Sequence, residues 1–317
     1  MNLYVDNYES KLSIKGNRLV VTEAGASKEF PLDSIDNLAL NKNVQITSQA
    51  ICKLCEAGIS ISWFSASQFI CQANGYGTES VMKVKNQFAL LDKAALRLKL
   101  SKQNIKAKIV NQLEYVNKMK AFKESDIEKA KTEEELMGVE GAYASLYFSE
   151  LKNKFNEKYG FVKRIKHPCT DPVNSVLSFV YSMLYREFSS LISLHGMNPS
   201  VGFFHKLRNG HCALSSDLME SLRCELCDKT AVKVLDSDIN DDDFEFNTDG
   251  SVYISKRLRS MIISEFHKKL SERIFTLNGF SNDFKGLLNQ MIYSYENALQ
   301  NEKPECFTPF IRGDYYA

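Results

Sequence analysis

The chain has 317 residues, enough for two ordinary domains with separate cores, and its 44% hydrophobic and 25% charged composition is that of a globular protein, not a disordered or fibrous one. It carries neither an apolar run of about eighteen residues nor a basic, apolar, small-residue leader, so no membrane span is expected and the chain is expected to stay in the cytoplasm. Forty Lys and Arg against 39 Asp and Glu leave a net charge of +1, so any nucleic-acid contact must use clustered charge, and the eight cysteines read as reduced thiols rather than a disulfide framework.

Residues 2 to 40 read as short strands, LYVD, KLSIK, RLVVTE, EFPLD and IDNLAL, punctuated by Gly16-Asn17 and Gly25. A helix is expected at 47–57, then strands at 59–64 and 69–73, with Gly75-Tyr76-Gly77 as a linker. This predicts an α+β chain: a small β-rich domain over 1–77, suited to pairing with a second copy, and a larger all-α domain over 78–317. No ligand cluster falls in the first part. The glycine pair at 75–77 lacks the third glycine of a dinucleotide loop.

From about residue 82 apolar residues recur at three- and four-residue steps, and the helix holding VEGAYASLYFSEL is expected to run to about 157. There Glu140 is surrounded by Gly141, Ala142, Ala144, Leu146, Tyr147 and Phe148, and a carboxylate among such residues needs a partner or a cation. Residues 152–166 carry Lys152, Lys154, Lys158, Lys163, Arg164 and Lys166 against Glu157 alone, whereas 236–249 concentrate Asp and Glu; a near-neutral average therefore hides a basic face. Thr170-Asp171-Pro172 is a helix start, with Asp171 as N-cap and Pro172 first in the helix.

The run GFFHKLRNGHCALSSDLMESLR, 202 to 223, brings an imidazole, two carboxylates and an arginine close in sequence. Ser215 or Ser216 can N-cap a helix whose first turns carry Asp217 and Glu220, three apart and so on one face. Leu218, Met219, Leu222 and Leu226 supply the core-facing stripe, which leaves the acids facing a cleft or water. Glu140, His205 and Glu220, with Asp217 nearby, form a mixed oxygen and nitrogen set suited to Mg²⁺ or Mn²⁺ with positions open to phosphate oxygens. The pairs Cys52/Cys55 and Cys224/Cys227 lie in helical patterns without a knuckle glycine and read as buried thiols. His167, His195, His211 and His267 read as surface or structural residues, and 251–300 as further helices in which Lys256, Arg257 and Arg259 could meet phosphate.

Four blocks then stand in order: E-G-A-x-A-x-x-Y-F from Glu140, D-P-V-N-x-x-L-S-F-x-Y from Asp171, G-F-x-H ending at His205, and D-L-M-E-x-x-R from Asp217 to Arg223. Together with the amino-terminal strand segments they resemble the CRISPR adaptation integrase, the CRISPR-associated endonuclease that inserts new spacers. His211, Ala213 and Cys224 depart from the family pattern without touching a candidate ligand. The resemblance implies a homodimer joined by a small adaptation subunit, acting on double-stranded spacer precursor and repeat DNA. It implies attack of a DNA 3′-hydroxyl on a repeat phosphodiester at an Mg²⁺ or Mn²⁺ ion held by Glu140, His205 and Glu220, with Asp217 as a further carboxylate. Lys163, Arg164, Lys166, Arg208, Arg223, Lys256 and Arg257 are the expected DNA contacts. Two rival readings are a stand-alone nuclease for branched DNA and a non-catalytic DNA-binding scaffold.

Overall fold

Alternating apolar and polar residues at the amino terminus build two sheets. In the computed structural model, which describes residues 2–35, 37–65, 68–75, 81–166, 168–276 and 281–316, the chain runs through β1 (Asn2–Val5), β2 (Lys11–Lys15), β3 (Arg18–Glu23), β4 (Ala26–Pro31), β5 (Asn37–Asn41), β6 (Gln45–Ile46), α1 (Ser48–Glu56), β7 (Ser60–Ser65) and β8 (Gln68–Ala73). One four-stranded sheet has the order β4-β3-β2-β6 and the other β1-β5-β7-β8. The two-residue loop Gly16-Asn17 closes β2 on β3, with Gly16 at a left-handed φ of 62°. Between β3 and β4 both loop residues, Ala24 (φ 46°) and Gly25 (φ 83°), are left-handed, a turn whose twist matches that of its strands. Strand periodicity points Leu12, Leu19, Leu38, Leu40 and Ile61 into one core with Leu54 of α1, which Thr47 caps by accepting from the Ala50 amide at 3.2 Å. All the expected strands and the helix are present, with ends shifted by at most about three residues, the usual uncertainty of element boundaries.

The helical pattern beyond residue 82 divides into α2 (Val81–Leu91) and α3 (Ala94–Tyr115), followed by α4 (Glu124–Lys129), α5 (Glu133–Leu151) and α6 (Pro172–Leu194). Thr132 caps α5, and Glu133, Glu134 and Glu135 in its first turn complement the helix dipole. This helix ends before the expected residue 157. The basic run that follows passes through 3₁₀ turns at Lys152–Lys154 and Glu157–Tyr159, pinned by the buried aromatics Phe155, Tyr159 and Phe161, so its lysines sit in turns and extended chain. Asp171 caps α6 as its sequence suggests, accepting from the Asn174 amide at 2.8 Å.

Beyond α6 come α7 (Ala213–Met219), α8 (Lys229–Leu235), β9 (Phe244–Phe246), β10 (Val252–Ile254), α9 (Lys256–Leu270), β11 (Arg273–Thr276), β12 (Ser281–Asp283), α10 (Phe284–Asn301) and β13 (Tyr315–Tyr316). The fold class is α+β as expected, but two short ribbons, β10-β9 and β12-β11-β13, interrupt the helices. Strands this short carry too few residues for an alternating pattern to stand out. The expected domain break at 77/78 lies outside the described residues. Two compact units are formed, one of residues 1–92 with 185–216 and the other of 93–184 with 217–317. Among the described residues no helix is long and apolar enough to cross a membrane, and the eight cysteines are free thiols.

Candidate metal centre

Within the second unit the site is organised by one face of α3. Asn104, Lys108 and Asn111 stand at i, i+4 and i+7, hence on one side of the helix, and all are buried. Asn104 Nδ2 donates to the Asp217 carbonyl at 2.5 Å and Asn111 Nδ2 to the Ser221 carbonyl at 2.7 Å, clamping both ends of the segment that presents Glu220. Between them the Lys108 ammonium, 5% exposed, donates to Glu140 Oε1 and lies 2.6 Å from Glu220 Oε2. Glu140 thus has the partner its apolar neighbours demanded. It lies 32 residues from that partner in sequence, on α5.

The segment carrying Asp217 and Glu220 differs from its sequence reading. The helix begins at Ala213, so Ser215 and Ser216 lie inside α7 and do not cap it. Glu220–Leu222 forms a 3₁₀ turn and Arg223–Asp228 a π-helical turn before α8 resumes. Asp217 is 0% exposed and Glu220 5%, as are Leu218 and Leu222 at 0%, so the segment is buried on all sides and the acids do not face water. Glu220 is therefore held by two cations: Lys108 at Oε2, and Arg223 Nη1, which donates to Oε1 at 2.8 Å and to Oε2 at 3.1 Å. The Arg223 guanidinium lies 4.3 Å from the Tyr181 ring centre, a cation–π contact. Burial works against its charge, but Glu220 holds its pKa above the usual arginine value.

Positive charge surrounds this carboxylate. Desolvation and the neighbouring guanidinium of Arg223 lower the Lys166 pKa, with Glu220 opposing and Arg164 and Lys108 adding to the repulsion. Arg164 is fixed by its bonds to Asn174 Oδ1 and Ser178 Oγ, both 2.8 Å, and lies 5.2 Å from the Tyr181 ring centre. Lys163 and Lys166 are exposed, as are Arg208 in the first unit and Lys256 at the start of α9. Arg257 is committed elsewhere: its Nε donates to Asp243 Oδ1 at 3.0 Å, bracing the acidic turn at Asp241–Asp243.

His205 belongs to the first unit, in the irregular stretch before α7. Its ring meets Phe204 and His211 edge-on at 5.7 and 6.0 Å, and His211 stacks on Tyr185 at 6.1 Å, with its Nε2 3.3 Å from Ser216 Oγ. His211, read from sequence as a surface or structural residue, is thus a direct neighbour of the candidate ligand. His167 lies outside the described residues. The structure brings Glu140 and Glu220 together and sets Asp217 one turn from Glu220. Among the described residues no three of His, Cys, Asp and Glu stand as a ready-made ligand group.

The donor set fits a hard divalent ion. Two carboxylates from different elements meet at one cationic position, which the Lys108 ammonium occupies as a stand-in. On the same elements Asn104 Oδ1 and Ser221 Oγ are buried without a hydrogen-bond partner among the described residues, oxygen capacity beyond what the protein itself uses.

A second buried carboxylate closes the π-helical turn. Asp228, 0% exposed, accepts from the phenols of Tyr181 at 2.6 Å and Tyr147 at 2.7 Å. Burial pushes its pKa from 3.8 to about 6, although the two phenols, Arg223 and Arg164 pull it down. Because the folded chain binds this proton more tightly than the unfolded chain, this group's contribution to stability falls as pH rises from about 4 to about 6 and is level above that. Asp228→Asn should remove that slope. Urea unfolding between about pH 4.5 and pH 7 should find the wild type losing on the order of 2 kcal/mol more than the variant; equal losses would disprove the assignment.

Residues 3–268 match the family model described as "CRISPR associated protein Cas1". The chain is 31% identical to the CRISPR-associated exonuclease Cas4/endonuclease Cas1 fusion of Leptospira interrogans, over 85% of this chain and 55% of that protein, so it spans about half of that relative's length. It is 28% identical to CRISPR-associated endonuclease Cas1 1 of Francisella tularensis subsp. novicida, over 98% of each chain. Its fold is similar to that of a casposase bound to an integration product, with a TM-score of 0.84 at 19% identity over 100% of this chain and 95% of that one. It is also similar to a chain of a Cas6-RT-Cas1–Cas2 complex, with a TM-score of 0.82 at 20% identity over 98% of this chain and 36% of that one.

Proposed function

The chain belongs to the CRISPR-associated Cas1 family, and from that membership we propose that it is a metal-dependent DNA endonuclease and integrase that inserts spacer DNA into a CRISPR array. The observation that carries the reading is the meeting of Glu140 and Glu220 at one buried cationic position, ringed by Arg164, Lys166 and Arg223. Glu140 and Glu220 would hold Mg²⁺ or Mn²⁺, with His205 as the nitrogen ligand on the strength of its sequence block. A bound divalent ion supplies neutralisation of phosphate charge and a more acidic nucleophile.

The protein's own groups do the rest. Asn104 and Asn111 fix the backbone on either side of Glu220, so the carboxylate keeps its place while DNA enters. Lys166 and the braced guanidiniums of Arg164 and Arg223 present positive charge to a phosphodiester, and Lys163, Lys256 and, in the first unit, Arg208 are further candidate contacts to the DNA backbone. The reaction exchanges one phosphodiester for another: the spacer 3′-hydroxyl gives up its proton and forms the new P–O bond as the 3′-oxygen on the far side of the attacked phosphate leaves and takes up a proton. Bond energy is conserved, which fits a sequence without a G-x-x-x-x-G-K-[ST] nucleotide loop. The Cas2 named in the neighbouring complex supports a small Cas2-type partner, and the sequence reading adds a homodimer acting in the cytoplasm.

The test uses the full chain with a Cas2-type partner, a supercoiled repeat-bearing plasmid and a short duplex with free 3′-hydroxyls, in Mn²⁺, Mg²⁺ or EDTA. Joined products in metal and none in EDTA are expected. Cleavage without joining would replace the proposal with a branched-DNA nuclease. DNA binding without any chemistry would replace it with a scaffold.

A further inference from the structure

We propose that Lys108 is a resident counter-cation of the Glu140–Glu220 pair that a divalent ion must displace, so that this side chain sets how tightly the site takes metal. The inference rests on the metal-binding reading above. Two carboxylates this close, one of them 5% exposed, repel one another and are stable as anions only with a cation between them. Lys108 is that cation. Its ammonium contacts Glu140 Oε1 and Glu220 Oε2, so it neutralises the same two carboxylates that would hold a divalent ion.

Occupancy by both cations is excluded by charge: an ammonium and a divalent ion in contact with the same oxygens repel strongly at low exposure. The rest of the site is built to survive the exchange. Arg223 Nη1 donates to Glu220 Oε1 at 2.8 Å and to Oε2 at 3.1 Å, and the Asn104 and Asn111 clamps act on backbone carbonyls, so Glu220 stays in place when the ammonium withdraws. Lysine suits the role, being a point charge on a flexible four-carbon stem that can withdraw without moving α3. In exchange for metal affinity the chain gains a centre that is charge-balanced and folded before any ion arrives.

Lys108→Met keeps the stem and removes the charge. The expected result is Mn²⁺ binding at least about tenfold tighter than wild type, read from the free-Mn²⁺ electron paramagnetic resonance signal without DNA. The variant should also melt below wild type in EDTA and gain more from Mn²⁺ than wild type does. Lys108→Arg, which restores a cation, should bind no more tightly than wild type. Equal or weaker binding by Lys108→Met overturns the displacement model. If Lys108→Met does not fold in EDTA, Lys108→Gln is measured instead. A chain that folds only with Mn²⁺ supports the proposal, and one that fails to fold even with Mn²⁺ overturns it. Glu140→Gln separates the two levels of argument: wild-type Mn²⁺ affinity in that variant would remove the metal site itself, whatever Lys108 does.

Discussion

Strand joining by Glu140→Gln is expected to fall by on the order of 10²–10³-fold with the fold intact. Glutamine keeps the size of the side chain but replaces a carboxylate oxygen with an amide, removing the negative charge that a divalent ion requires. Stability should change little, because the Glu140 side chain is 22% exposed and Lys108 keeps Glu220 as its anion. Glu220→Gln should lower joining to the same degree but also destabilise, by roughly 3–5 kcal/mol, since Arg223 would then face a neutral amide in a buried setting and Lys108 would keep only the more exposed Glu140 as its anion. Joining rates measured beside thermal melts distinguish the two: loss of activity with an unchanged melt for Glu140→Gln marks chemistry, and the extra loss of stability for Glu220→Gln marks the charge cluster. Wild-type joining by Glu140→Gln would sink the assigned centre.

The second large effect concerns a residue with no chemistry of its own. Asn111→Ala is expected to cost roughly 3–5 kcal/mol in denaturant unfolding, because each buried group it orphans costs about 1–3 kcal/mol. The Asn111 side chain donates to the Ser221 and Phe310 carbonyls at 2.7 and 2.9 Å and accepts from the Arg312 amide at 2.8 Å. One 4%-exposed amide thus joins α3, the turn holding Glu220 and the carboxy-terminal segment. Activity should fall as well, since the peptide after Glu220 loses its anchor. Asn301→Ala, on the exposed end of α10 with a side chain that bonds only Asn297 among the described residues, should stay within about 0.5 kcal/mol of wild type and serves as the control. A loss for Asn111→Ala no larger than that of the control would show that the clamp is dispensable.

Much of this was legible in the residues. Period-two alternation and the glycine punctuation at 16 and 25 located the strands, since pleat and turn sterics act over a few neighbouring residues. Asp171-Pro172 announced α6 for the same local reason. The setting of Glu140 among small and apolar residues was enough to demand a cation partner, because the cost of burying a charge can be judged from its neighbours alone.

The partner's identity was not legible. Lys108 lies 32 residues from Glu140, and in sequence Asn104, Lys108 and Asn111 look like the solvent side of a helix; only packing turns that side inward. The same holds for Asp217 and Glu220, whose spacing suggested acids facing a cleft or water, whereas packing buries both and gives Glu220 the partners Lys108 and Arg223. Sequence alone therefore determined the amino-terminal strands, the onset of the helical region and the need for a compensating charge, all set by interactions between near neighbours. Which cation answers that need was decided by tertiary structure, because contacts between residues distant in the chain leave no periodic trace in it.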